Sequence, residues 1–302
     1  MLSIIICTYN RAKYIYNVLQ SITQNDFPAD NYEIILINNN STDYTEEKCK
    51  LFQHDYPQIT FRYFFETEQG LSHARNRGIK EATGDILIYV DDDALVNKKF
   101  LSSYYELFQK DKDVFAAGGP IFPKYETEPP KWLSFFTKEL LTGYLYQGNK
   151  TGKFKRRYPG GGNAAYRKEV FEKTGLFNVE LGRKGDNLVG AEEKDIFDKM
   201  TKMDMKILYT PQAILYHIIP AYKLTEVYFN RLTFSIGQSE RLRTLNISKT
   251  KYLKRLFSET IKWLVSFILC LGYSLTGSPQ KGYKLLVFRW NVTKGLFGYS
   301  EK

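Results

Sequence analysis

Cysteine is scarce in this chain: Cys7, Cys49 and Cys270 are the only three among 302 residues, an odd, scattered set without metal-ligand spacing. That excludes a disulfide framework and a cysteine-built metal centre, and it fits a reducing compartment. No charged segment leads into the first apolar run, Leu2 to Cys7, which reads as a strand rather than a signal peptide. There is no low-complexity tract and no repeat beyond an alternation of strands and helices. A glycine-rich, lysine-containing phosphate loop is missing near the N-terminus, which argues against a nucleotidyltransferase. The uncharged run Trp263 to Leu275 has thirteen residues, short of the roughly twenty that a single spanning helix needs.

What is present is apolar and aromatic. With 43% hydrophobic and 16% aromatic residues the chain is not disordered, and 302 residues can bury one large core with an appendage. The net charge of +10 is uneven: residues 1 to 220 hold 29 Lys+Arg against 29 Asp+Glu, whereas residues 221 to 302 hold 14 against 4. A basic tail containing an apolar, aromatic run fits an interfacial helix on an anionic membrane better than nucleic acid. The plainer alternative is a helical extension that packs on the core or joins a homo-oligomer.

The first ninety residues alternate short apolar strands with polar helical stretches. Strands are expected at Leu2 to Cys7, Tyr32 to Ile37, Ile59 to Phe65 and Asp85 to Val90, and helices at Ala12 to Ile22, Thr42 to Phe52 and Leu71 to Ala82. Such βαβ units imply an α/β fold with a largely parallel sheet and helices on both faces. Each strand ends in a polar cluster, so the four clusters should meet at one sheet edge, where open α/β sheets bind ligands.

The last cluster is Asp91-Asp92-Asp93, three carboxylates at the end of Ile86-Leu87-Ile88-Tyr89-Val90. Like charges that close call for a cation, and hard oxygen ligands suit Mg²⁺ or Mn²⁺ carrying a phosphorylated substrate. An acidic turn or helix N-cap is the alternative, with Ala94-Leu95-Val96-Asn97 starting the helix. Farther on, the irregular stretch Lys124 to Arg157, with Trp132, Phe135 and Phe136, is a candidate lid over a ligand or a local hydrophobic cluster.

Six segments in order carry a resemblance. They are Ser3-Ile4-Ile5-Ile6-Cys7-Thr8-Tyr9-Asn10-Arg11, Asn39-Asn40-Ser41-Thr42-Asp43, Gly70-Leu71-Ser72-His73-Ala74-Arg75-Asn76-Arg77-Gly78, the Asp triplet, Gly160-Gly161-Gly162-Asn163-Ala164-Ala165-Tyr166-Arg167 and Gly190-Ala191-Glu192-Glu193-Lys194-Asp195. Together they resemble the family 2 glycosyltransferases of the GT-A fold, over roughly residues 2 to 245. The resemblance implies a Rossmann-like, mostly parallel mixed sheet in residues 1–220, a donor half to about 120 and an acceptor half beyond it, followed by a helical extension over 221–302.

The family's roles can be laid over these positions. Asp93 and Asp91 fall where a divalent metal, Mn²⁺ or Mg²⁺, bridges the donor diphosphate, and Asp92 where ribose or sugar is contacted. Thr8, Tyr9, Asn10 and Arg11 resemble the loop that holds the nucleoside, with Asn38 and Asn40 beside it, and Arg75 resembles the diphosphate-facing arginine. Asn38 stands where many members carry Asp, which alters the contact to the base; a UDP-sugar remains the favoured donor. Glu193 occupies the general-base position that usually holds Asp, with Glu192 before it. His217, after Tyr209-Thr210-Pro211-Gln212-Ala213, matches a metal-binding His of some relatives; His54 and His73 read as surface or helix residues. Gly161, Gly162, Asn163 and Trp132 are placed on the acceptor side.

The resemblance thus implies a metal-dependent, inverting, hexosyltransferase-like enzyme that moves sugar from a nucleotide-sugar to a glycan or lipid-linked glycan. The implied setting is bacterial surface polysaccharide or glycolipid synthesis, in the cytoplasm and peripheral on the inner face of the cell membrane. A non-catalytic relative that binds nucleotide-sugar or glycan is the other functional class; an acid kept at Glu193 favours the enzyme, because a binding module needs no base.

Overall fold

In the computed structural model, which describes residues 1–154, 158–185 and 187–299, the chain divides into two compact units: Met1–Lys124 with Gly143–Val179 and Glu192–Ile218, and Tyr125–Thr142 with Glu180–Ala191 and Ile219–Lys302. The strands are β1 (Leu2–Thr8), β2 (Tyr32–Asn38), β3 (Phe61–Phe65), β4 (Ile86–Val90), β5 (Ala94–Val96), β6 (Val114–Gly118), β7 (Ile121–Tyr125), β8 (Gly152–Lys153), β9 (Asn163–Arg167), β10 (Lys206–Tyr209) and β11 (Leu215–Ile219). The helices are α1 (Ile15–Thr23), α2 (Thr45–Asp55), α3 (Leu71–Glu81), α4 (Phe100–Lys110), α5 (Phe135–Thr142), α6 (Glu169–Thr174), α7 (Glu192–Lys202), α8 (Glu226–Ile247), α9 (Lys249–Leu275) and α10 (Pro279–Phe297).

Strand order in the large sheet is β3-β2-β1-β4-β9-β6-β10-β8. The first four strands run parallel, and β9 enters antiparallel between β4 and β6. Ile4, Ile5, Ile6, Ile34, Ile35 and Ile37 are buried, because a central parallel strand is covered on both faces and carries apolar residues on both. Ile4 and Ile6 face a core shared with Val18, Leu19, Phe52 and Tyr104. Ile5 points the other way, to Ala74, Phe171, Phe197 and Met200. Helices on both faces follow from that alternation.

Two helices start later than the sequence suggests. The Arg11 carbonyl accepts from the Tyr14 and Ile15 amides, so the chain turns before α1 begins. Asp43 accepts from the Thr45 amide at 3.1 Å and from the Ala12 amide at 3.0 Å, which holds 42–44 as a loop ahead of α2. The Asp triplet does not start a helix: Ala94–Val96 forms β5, paired antiparallel with β11 in a small sheet ordered β5-β11-β7. Ala94 and Val96 are buried there.

The second unit takes residues on both sides of position 220, where the sequence reading places a boundary. Trp132, Leu133 and Leu140 pack with Leu141, Phe229 and Leu232, which draws the segment around α5 to α8. The irregular stretch therefore contains an ordered helix, while its residues 155–157 lie outside the described residues. The uncharged thirteen-residue run proves to be the C-terminal half of α9, which is 27 residues long.

Candidate active site

Parallel pairing in register sets the ends of β1, β2 and β3 side by side: Thr8 lies opposite Asn38, and Asn38 opposite Phe65. The loops that follow are tied together. The Thr8 carbonyl accepts from the Asn39 amide at 2.8 Å and the Asn38 carbonyl from the Glu66 amide at 2.9 Å. Asn10 and Asn40 hold left-handed backbone at φ +54° and +65°, a region that asparagine tolerates better than most residues. Asn10 donates its amide to Ser41 Oγ at 2.9 Å and accepts from the Thr42 amide at 2.8 Å. The Arg11 amide donates to Thr45 Oγ1 at 3.0 Å.

The Asp triplet is anchored to this scaffold. The Tyr9 amide donates to Asp92 Oδ2 at 3.4 Å and Arg11 Nε to Asp92 Oδ1 at 3.3 Å, while Arg11 Nη2 lies 3.9 Å from Asp93 Oδ2. Burial pushes the Asp92 carboxyl up to about 6 against the pull of Arg11, and the charge of Asp93 adds to the rise. Asp91 is raised by burial and then by Asp93. A cation among these groups would reverse both shifts. Pairing of β5 with β11 sets Ala94 opposite His217 and brings His217 Nε2 to 3.2 Å from Asp93 Oδ1.

Across the edge sits an acidic pair sharing one cation. Arg75, buried on α3, places Nη2 2.7 Å from Glu193 Oε1 and Nη1 3.2 Å from Glu192 Oε1. Its guanidinium also lies over the rings of Tyr89 at 5.4 Å and Phe177 at 5.3 Å. One positive charge cannot balance two carboxylates, one buried and the other only partly exposed. Glu192, fully covered, is pushed up to about 8 by burial and by the charge of Glu193, against Arg75. Burial also acts to raise Glu193, but Arg75 and hydrogen bonds, including one from the Glu192 carboxyl, hold it below its ordinary value. Within the pair the proton is therefore favoured on Glu192 and the charge on Glu193, which has about a quarter of its side chain exposed.

Two glycines let the loop before β9 close on both groups. A Cβ on Gly161 would stand 1.7 Å from Glu193 Oε1 and 2.8 Å from Arg75 Nη2; one on Gly162 would stand 2.1 Å from Asp91 Oδ2. Glu193 and Asp91 thus rest against consecutive residues, whose Cα atoms are about 3.8 Å apart. Ala191, the residue before the pair, has φ +80°. Non-glycine residues held there store strain of about 1–3 kcal/mol, a feature that clusters at working sites.

Several sequence expectations change in this geometry. Arg75 does not present a free fork to a diphosphate, because its guanidinium is engaged by Glu192 and Glu193. Asn38 is buried, donating to Tyr63 Oη at 2.7 Å and accepting from the Ser41 amide at 2.9 Å, so it braces the loop instead of reading a base. Asn163 is fully buried: its Nδ2 donates to the carbonyls of Pro120 at 2.9 Å and Ala213 at 3.0 Å, and its Oδ1 accepts from Tyr104. That makes it a core brace and removes it from the acceptor side. Trp132 belongs to the second unit, packed edge-on against Phe229 at 5.3 Å with Lys284 Nζ 4.9 Å over its ring. Tyr9 and Asn40 stay exposed at the edge.

One residue gains importance that motif reading did not give it. Buried Asn39 donates to the Glu66 and Glu68 carbonyls at 3.2 and 2.8 Å and accepts from the Gly70 amide at 2.7 Å, which pins the β3 loop to the start of α3. The sequence marks it only as the first residue of the resembling segment Asn39-Asn40-Ser41-Thr42-Asp43, with no role attached.

Among the described residues no three His, Cys, Asp or Glu side chains converge as a ready-made metal site. Asp93 and His217 form a two-residue donor set with Asp91 on the same turn. One carboxylate with one imidazole suits Mn²⁺ better than Mg²⁺, which prefers oxygen throughout, and a donor diphosphate would have to supply further oxygens. In that sense the residues fit the metal.

Residues 3–175, more than half of the chain, match the model of Glycosyl transferase family 2. The chain belongs to that family. Among curated members it is 24% identical over 266 residues to the glucosyl-dolichyl phosphate glucuronosyltransferase of Haloferax volcanii, covering 84% of this chain and 82% of that one. It is 33% identical over 111 residues to the dolichyl N-acetyl-alpha-D-glucosaminyl phosphate 3-beta-D-2,3-diacetamido-2,3-dideoxy-beta-D-glucuronosyltransferase of Methanococcus voltae, covering 37% of this chain and only 35% of that one. Its fold matches mannosyltransferase PcManGT of Pyrobaculum calidifontis, solved with GDP-Man and Mn²⁺, at TM-score 0.68 and 18% identity over 99% and 88% of the two chains. The S. aureus TarS 1–349 complex with UDP-GlcNAc matches at TM-score 0.52 and 15% identity over 100% and 93%. These neighbours establish the GT-A fold for this family 2 member: a mixed, mostly parallel sheet and a C-terminal helical region.

Proposed function

We propose that this family 2 glycosyltransferase moves a sugar from a nucleotide-sugar to an acceptor hydroxyl by direct displacement, with inversion at the anomeric carbon. The observation that carries the reading is the placement of Glu193 and Asp91 against consecutive glycines, a charged base beside the metal-motif carboxylates. Glu193, ionised and partly exposed, takes the acceptor proton. Arg75 holds it in the charged form, and the protonated Glu192 fixes its carboxylate by a hydrogen bond. Tyr9, Asn10 and Arg11 offer the donor a braced loop, and Arg11 holds Asp92 beside that loop. Asp93 and His217, with Asp91, would hold the divalent metal, which supplies charge stabilisation to the departing diphosphate.

The Haloferax relative, named for acting on a glucosyl-dolichyl phosphate, supports a lipid-linked glycan as acceptor. The test is a panel of nucleoside-diphosphate sugars with Mn²⁺ or with chelator, read as nucleoside diphosphate release and, by NMR, as anomeric configuration. Metal-dependent release with an inverted product is expected. A retained configuration, or release indifferent to chelator, would remove the mechanism.

A further inference from the structure

The face of α9 that turns away from α10 is apolar along nearly its whole length. Leu253, Phe257, Ile261, Leu264, Ile268 and Leu271 are all exposed, spaced by three or four residues and continued by Leu275. At 1.5 Å per residue the stripe runs for about 33 Å. Val265 and Phe267, also exposed, widen it to about 160° of the helix circumference at 3.6 residues per turn. A coiled-coil seam is narrower, confined to two positions in seven. Among the described residues α9 is the one helix long and apolar enough to cross a membrane, and only 11% of its apolar window is buried.

The charges around the stripe have one sign. Lys249, Lys251 and Lys254 are exposed in the first two turns of α9. The acids of α8 and α9 are paired: Glu226 with Lys284 at 2.8 Å, Glu240 with Arg255 at 3.1 Å, and Glu259 with Arg255 at 2.6 Å and Arg289 at 2.9 Å. Glu259 is buried on the side of α9 opposite the stripe. A spanning α9 would carry that ionic cluster into hydrocarbon, at a cost of several kcal/mol. Lying flat, the helix sinks its apolar arc and leaves the cluster and the lysines at headgroup level.

We propose that α9 is an in-plane membrane anchor: Leu253 to Leu275 enter the interface of an anionic lipid surface, and Lys249, Lys251 and Lys254 meet its headgroups. The inference stands independently of the sugar chemistry.

The experiment floats the full-length protein with vesicles of phosphatidylcholine containing about one part in four phosphatidylglycerol. Wild type is expected to float at low salt and less as salt rises. The triple substitution Leu264→Ser, Ile268→Ser, Leu271→Ser should weaken flotation at least about tenfold with an unchanged melting curve, since these side chains are exposed in the folded protein. Lys251→Glu with Lys254→Glu should abolish the preference for anionic over neutral vesicles. Fluorophores at 257, 264 and 271 should report equal depth by lipid-borne quenchers. Wild type that fails to float, or a triple variant that floats as well as wild type, overturns the proposal. Depth that increases steadily along the helix would make α9 a span. A lipid-free dimer dissolved by the triple substitution would assign the stripe to a second copy of the chain.

Discussion

Glu192 offers the sharpest physical test of the site. Its folded pKa is about 8 against an ordinary 4.5, raised by burial and by Glu193. Between those values the folded protein holds a proton that the unfolded chain has released, so unfolding releases a proton and rising pH favours it. The slope is about 1.4 kcal/mol per pH unit. From pH 6 to pH 8 the wild type should therefore lose about 2 kcal/mol through this group alone, after allowing for partial ionisation near pH 8. Glu192→Gln keeps the shape of the protonated acid and cannot titrate. Its stability relative to wild type should improve by about 2 kcal/mol over the same interval, measured by urea unfolding at pH 6, 7 and 8. Glu193 has the opposite sign: its depressed pKa contributes stability above the ordinary carboxylate range, lost as pH falls through the folded value, so it stays silent in this window. A stability gap between variant and wild type that is flat from pH 6 to 8 would refute the assignment of the proton to Glu192.

Three further substitutions probe the rest of the site. Glu193→Gln should lower turnover at least about 100-fold while nucleotide affinity by calorimetry stays near wild type, because a positioned base is lost and nothing in the donor loop changes. Asp93→Ala should abolish the Mn²⁺ dependence of nucleoside diphosphate binding, read by calorimetry with and without chelator; unchanged dependence in a folded variant would remove Asp93 from the metal motif. Gly161→Ala puts a methyl 1.7 Å from Glu193 Oε1, so the carboxylate must move and turnover should fall at least about tenfold, since misplacement of the base by about 1 Å is that damaging.

Much of this was legible in the sequence because it depends on near neighbours. Consecutive isoleucines in β1 and β2 announce strands covered on both faces, and the polar clusters after β1 to β4 meet because parallel strands end together. What was not legible depends on distant partners. Arg75 looks like a phosphate ligand until Glu192 and Glu193 close on it from more than a hundred residues away. Asn163 looks like part of a ligand loop because three glycines precede it, yet Tyr104, Pro120 and Ala213 fix it in the core. Asn38 is similar, with Tyr63 as the hidden partner. Helix α9 was underestimated for another reason: the charges of its first half interrupt the apolar run in sequence but fall on different faces in space.

The Asp triplet is also the entire link from β4 to β5, one of the places where the chain crosses from the large sheet to the small one, since β4 ends at Val90 and β5 begins at Ala94. Its three residues act as a ruler as well as a carboxylate cluster. Side chains alternate along β5, so inserting one residue in the triplet would turn Ala94 and Val96 out of the core, and deleting one would do the same. Either change would also break the register that sets Ala94 opposite His217. Conservative exchange of a carboxylate leaves the spacing intact, whereas a fourth aspartate would add charge and dismantle the pairing that gives Asp93 its histidine. Length at this turn should tolerate change less than composition does.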